Sequence, residues 1–166
     1  MQPEFKYGFI AGGVISMSFY IDEMNYNNQQ VLIFVNLIVF AALGLAIYYA
    51  MKEKREGNPK EFKFPKAMLT GAITCFYLSC IVGAYSFSYA KFINPNKAKQ
   101  VTEQKVKDWK EQKIYDTAPP DSLENQIKII ETTYSPTGQL QSSVGILMVL
   151  GIFAAMLMAF FMKTKT

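Results

Sequence analysis

Residues 65–90, PKAMLTGAITCFYLSCIVGAYSFSYA, carry no charge after Lys66. About 25 such residues suffice for a helix to cross a bilayer. Counting by fours from Ala67 gives Gly71, Cys75, Ser79 and Gly83, a slowly drifting stripe of small side chains on one helix face. Phe76, Tyr77, Leu78, Ile81 and Val82 lie elsewhere around it. In lipid, where apolar side chains gain nothing by leaving water, such stripes let helix backbones approach closely. The stretch reads as a membrane span with a packing face.

Outward from it, the averages mislead. With 166 residues and 51% apolar composition, and a mean hydropathy of +0.10, the chain resembles a soluble domain until the charges are placed. They avoid four windows, Tyr7 to Ile21, Val31 to Met51, Ala67 to Ala90 and Val144 to Met162. We therefore expect an all-α integral membrane protein with four transmembrane helices, at about 7–24, 31–51, 66–90 and 142–162. An extramembrane helical hairpin over 91–141 separates the third and fourth.

The first window is short, ends in Asp22 and Glu23, and has Gly8, Gly12 and Ser16 at fourfold spacing. One lysine before it, and no small-residue cleavage site after it, predict an uncleaved span instead of a signal peptide. The fourth window repeats the small-residue device with Gly151, Ala155 and Ala159. Between the second and third, KEKREGNPKEFKFPK (52–66) reads as a basic loop whose Phe62 and Phe64 dip into the head-group layer. Lys6, the six bases of that loop, Lys163 and Lys165 flank one side, whereas the first loop has no base. That asymmetry places both termini in the cytoplasm and 91–141 on the far, periplasmic side. The eight lysines of the long segment, set against seven acids, do not prevent its translocation.

Within that segment, residues 97–114 are rich in helix formers, with Val101, Val106 and Trp109 on a patchy apolar side. A second helix opens at Pro119, Pro120 and Asp121, with Glu124 completing a capping box. Leu123, Ile127, Ile130 and Tyr134 follow helical spacing, and Ser135 to Gly138 end it. Trp109, the one tryptophan, is a candidate external interface, on lipid or in a partner's pocket.

The chemistry is sparse. Histidine is absent, which removes the commonest general base and metal ligand. Cys75 and Cys80 share one span about 140° apart, too far round the helix for a disulfide. The acids are scattered and read as solvated loop charge, so no catalytic, metal or cofactor site is expected. No charged residue falls inside the four windows, where one would be the usual mark of an ion pathway. Asn36, the strongly polar residue of the second span, reads as a hydrogen-bonding contact between helices, as do Thr70, Thr74, Ser79, Ser86 and Ser88. A net charge of +4 spread over loops argues against a nucleic-acid partner, though basic loops attract anionic head groups. The small residues Gly8, Gly12, Ala67, Gly71, Cys75, Ser79, Gly83, Gly151, Ala155 and Ala159 either pack the chain's own bundle or dock it on another membrane protein.

YGFIAGGVIS at the start, FKFPKAMLTGAI entering the third span, EQKVKDWKEQK and IKIIETTYSP in the external pair, and a glycine-containing last span ending in lysines together resemble a Bacteroidota inner-membrane family called domain of unknown function 4199. The resemblance covers nearly the whole chain. It implies this four-span fold, an inner-membrane location, and polyprenyl-phosphate glycosyltransferases as candidate partners. It carries no catalytic residues. The expected function is a non-enzymatic accessory or scaffold subunit, docking through its small-residue faces and external helical pair. The alternative is a small transporter or lipid-handling protein for polyprenyl-linked or other anionic substrate, using Asn36, Ser79 and the basic loop.

Overall fold

A computed structural model describes residues 1–25, 28–57, 59–111 and 120–162, and among them every regular element is helical. Helix α1 spans Pro3–Met24, α2 Gln29–Gly57, α3 Phe64–Ser88, α4 Lys97–Glu111, α5 Pro120–Tyr134 and α6 Pro136–Met162. A 3-10 turn, Pro59–Glu61, precedes α3, and a π-helical turn, Tyr89–Ile93, follows it. Helices α2 and α6, and the α3 segment Phe64–Ile93, are long and apolar enough to cross a membrane. Helix α1 is 22 residues long, but Glu4 and Lys6 at one end and Asp22 and Glu23 at the other shorten its apolar run. It does not join that group. Among the described residues the architecture is thus all-α, with three helices able to span, which is consistent with a membrane protein.

The starts of these helices follow local rules. The Asn28 side-chain oxygen accepts the Gln30 backbone N–H at 3.1 Å, supplying α2 with a cap for its orphan donors. Pro3 and Pro136 occupy first turns, where a missing N–H costs nothing. Between α5 and α6 there is one residue, Ser135. Its hydroxyl donates to the Thr132 carbonyl at 2.6 Å and accepts the Gly138 N–H at 3.1 Å. The stretch from Ser135 to Gly138, expected to close a helix and lead into a loop, closes one and opens the next. A Cβ on Gly138 would collide with the Thr132 and Thr133 carbonyls, so only glycine admits this turn. Helix α6 therefore begins at Pro136, where its last-span window was expected only from about 142.

The chain divides into two compact units, Met1–Val82 with Ser143–Thr166, and Gly83–Ser142. In the first, α3 buries Ala67, Thr70, Gly71, Thr74, Cys75, Leu78, Ser79 and Val82 along one side. Helix α1 lies against it so closely that a Cβ on Gly8 would sit 2.8 Å from the Thr74 carbonyl oxygen and 2.9 Å from the Tyr77 Cβ. Phe5 meets Tyr77 edge-on at 5.2 Å. On the other side, a Cβ on Gly71 would approach the Ala155 Cβ to 2.5 Å and the Met51 Cε to 2.7 Å. That glycine is where α2, α3 and α6 meet.

The basic loop is shorter than the sequence indicated, because α2 continues through Lys52, Lys54 and Arg55 to Gly57. Phe62, expected at the head groups, is fully buried in the core cluster of this unit. Folding the loop's aromatic inward closes the end of the bundle with carbon instead of solvent.

In the second unit, α4 and α5 are 15 residues each and pack against one another. Val101 and Leu123 are buried. Lys97, 9% exposed, holds its ammonium 5.7 Å from the Tyr89 ring and 5.6 Å from the Tyr134 ring, so two aromatic faces replace part of its hydration. The proline link over 112–119 lies outside the described residues.

Candidate functional site

The first unit holds a cluster of paired charges where α1 begins and α2 and α6 finish. Glu4 accepts from the Lys54 ammonium at 2.7 Å, and Lys6 donates to Glu53 at 3.0 Å. The Tyr7 hydroxyl donates to the same Glu53 oxygen at 2.8 Å. Arg55 reaches the Met162 carbonyl at 3.3 Å, meeting an orphan acceptor at the end of α6. Two crossed ion pairs and a cap thus clasp three helices together.

The pairs differ in environment. The Glu4 side chain is 5% exposed, and its second oxygen has no hydrogen-bond partner. Lys6 and Glu53 are each about two-fifths exposed. Hydrogen bonds from Lys6 and then Tyr7 hold the Glu53 carboxyl below its ordinary value. The bond to Glu53 likewise raises Lys6. Both lie beyond the apolar run of residues 31–51.

Beside the clasp, between α1 and α2, runs an apolar groove of about 430 Å³. Tyr7, Ile10, Ala11 and Val14 form its α1 side. Ile38, Ala41, Ala42, Leu45, Ala46 and Tyr49 form the α2 side. These recur at three- and four-residue steps, one face of each helix. Ala11 and Ala46 are buried at its floor, while Ile10, Val14 and Leu45 stand exposed as walls. The Tyr7 and Tyr49 rings stack at 5.8 Å and close the clasp end.

All ten small residues singled out from the sequence are buried in the chain: Gly8, Gly12, Ala67, Gly71, Cys75, Ser79, Gly83, Gly151, Ala155 and Ala159. Gly12 faces Ile81, and Gly151 faces Cys75 and Leu43. Both thiols are free, Cys75 buried and Cys80 exposed.

The polar span residues behave differently from the expectation. Thr70 and Thr74 return their hydroxyls to carbonyls four residues back, at 2.9 and 2.8 Å, as do Ser16 and Ser18. A helix can satisfy such groups by itself, with no neighbour. Asn36 is exposed and has no hydrogen bond among the described residues, so it is not glue inside the bundle. Ser79 is fully buried with its hydroxyl unpartnered. Neither lines the groove. Trp109 is half-buried on α4.

The clasp and groove were not picked out from the sequence. Read locally, Glu53 belongs with the solvated loop charge, and nothing in the sequence around Glu4 marks a partner for it. The signal was present: the α2 stripe 38, 41, 42, 45, 46, 49 continues by the same step into Lys52 and Glu53.

A family model described as a protein of unknown function (DUF4199) matches residues 6–164. No curated protein and no solved structure matches the chain.

Proposed function

The chain belongs to the DUF4199 family of proteins of unknown function, and on that premise we propose that it is a non-enzymatic accessory or scaffold subunit of a larger complex in a bacterial inner membrane. In this reading α1 is a fourth crossing, the clasp end is cytoplasmic with both termini, and 91–141 is periplasmic. The excess of bases at the clasp end supports that orientation. So does the meeting there of the start of α1 with the ends of α2 and α6, the arrangement of helices that cross in alternation.

Of the two docking surfaces expected from the sequence, the small-residue faces and the external helical pair, this reading keeps the second. With the small-residue faces enclosed by the chain's own helices, docking falls to the amphipathic pair α4 and α5 and the π-helical turn before them. The observation that carries this is exposure of large apolar side chains in the second unit: Phe92 at 71%, Ile93 at 61% and Ile129 at 63%. With half-buried Trp109, these are the aromatic and aliphatic anchors that dominate interfaces. A polyprenyl-phosphate glycosyltransferase is a candidate partner.

Purification in mild detergent, with a photo-crosslinker in place of Ile129, tests the proposal. It expects one stoichiometric membrane protein, lost on Phe92→Ser with Ile129→Lys and retained on Leu69→Ser in the first unit. A chain that runs alone under gentle extraction, crosslinking only to lipid, would defeat it.

A further inference from the structure

The groove between α1 and α2 has a length, a wall chemistry and an end, and each restricts its occupant. From Ile38 to Tyr49 it covers about 17 Å of helix axis at about 1.5 Å per residue. The hydrocarbon core is about 30 Å thick, so this is close to the depth of one leaflet. A partner helix crossing beside α1 and α2 would be expected to use their whole length. A single acyl chain uses half. The walls are apolar from end to end, and the alanine floor leaves a trough instead of a ridge.

The clasp end has a sign. Lys52 lies one turn past Tyr49 on the groove face, and it has no ionic partner among the described residues. Around it are Lys6 and Lys54, occupied by Glu53 and Glu4, and Arg55, bound to a carbonyl. Glu56 is a further turn out and exposed. Among these described side chains four cations face three carboxylates, and the cation without an ionic or carbonyl partner is the one that follows Tyr49 by a helical step. The two stacked tyrosines sit at the same level, where amphipathic rings favour the head-group boundary.

We propose that this groove holds one acyl chain of an anionic phospholipid from the leaflet at the clasp end, its phosphate resting against Lys52. The lipid fills the trough and neutralises the unpaired cation. The proposal is independent of which protein docks on α4 and α5.

Native mass spectrometry of the full chain in mild detergent, titrated with phosphatidylglycerol or phosphatidylcholine of the same chain length, provides the test. Retention of one phosphatidylglycerol with about fivefold preference is expected, the effect of one lysine near an anionic head group. Ala41→Phe fills the groove from an exposed position and should abolish retention of that lipid. Lys52→Gln should equalise the two lipids and leave chain binding intact. Leu69→Phe, on an exposed face away from the groove, should change neither. Equal retention of both lipids by the unaltered chain would overturn the proposal, as would an Ala41→Phe protein that still holds the lipid. A protein dimer that Ala41→Phe dissolves, with no lipid retained, would also overturn it. If Ala41→Phe lowers the yield, Lys52→Gln, which keeps most of the aliphatic stem and removes the charge, decides by itself.

Discussion

The two units of this chain are held by different means. In the first, α3 meets its neighbours at glycines: Gly8 of α1 lies against the Thr74 carbonyl, and Gly71 of α3 receives the Ala155 and Met51 side chains. In the second, α4 and α5 meet through long side chains, with Val101 and Leu123 buried and Lys97 laid between two tyrosines. Lipid-facing helices have no water to escape, so shape has to supply their attraction. Helices as polar as α4 can draw on burial of carbon itself. The first arrangement is intolerant of added atoms, and the second of removed ones.

The largest effect is expected from added atoms in the first unit. Gly71→Leu places a branched side chain where a single Cβ already lies 2.5 Å from Ala155. A loss of at least about 3 kcal/mol is expected, the upper range for overpacking. Gly145→Leu, also in a membrane helix but with no atom within 4 Å of its Cβ, should be neutral or slightly stabilising. Thermal unfolding of both variants in one detergent, followed by circular dichroism, checks this. Equal melting temperatures would mean that close approach is not what holds α3.

Next in size is the enclosed ion pair. Lys54→Ala leaves the Glu4 carboxylate, 5% exposed, without its cation. Breaking fully buried pairs costs about 3–5 kcal/mol. Because Lys54 itself is 31% exposed, about 2 kcal/mol is expected here. Glu4→Gln keeps the shape and leaves Lys54 a path to solvent, so it should cost clearly less. If the two variants melt together, Glu4 is not the enclosed partner.

Gly71 and Glu4 also differ in how far the sequence alone reveals them. The stripe through Gly71 was legible because a four-residue period of small side chains is a local pattern. So were the α4 and α5 pair, from Val101, Trp109, Leu123 and Ile127, and the membrane class, from the uncharged windows. What touches what was not legible. Nothing in the period tells whether Gly71 receives Ala155 of the same chain or a stranger's helix. Glu4 and Lys54 are 50 residues apart in sequence, and their pairing follows from α2 outlasting its apolar run by one and a half turns. Helix α1 is the hardest to place from sequence, because Asp22 and Glu23 cut its apolar window short, while Glu4 and Lys6 at its other end serve as structural partners. Pro136 read as a stop because proline ends a helix as readily as it begins one, and the hydroxyl of Ser135 decides between them.

In the second unit, Lys97→Ala should cost about 1 kcal/mol, in the range of a partly desolvated cation above aromatic rings. Its effect should appear in hydrogen exchange of α4 and α5, and leave protection of α2 unchanged. Loss of protection in both would show that the units unfold together.

The smallest effect, and the one most easily screened, belongs to the exposed pair Lys6 and Glu53. Glu53 is held below its ordinary value of 4.5 by the bonds from Lys6 and Tyr7. It therefore contributes stability that is complete above 4.5 and is lost as pH falls through the lowered folded-state value. Lys6 is raised above 10.5 by the same bond, so its contribution is complete below 10.5 and is lost as pH rises through the raised value. Between those limits the contribution of this pair should be indifferent to pH, and each edge should shrink in high salt, because charges this exposed are screened. Melting curves of the full chain and of Glu53→Gln across that range should converge at the acid edge. A gap that persists below the carboxylate's folded value would assign the stability to packing by the α1 end, with the charge pair a bystander to it.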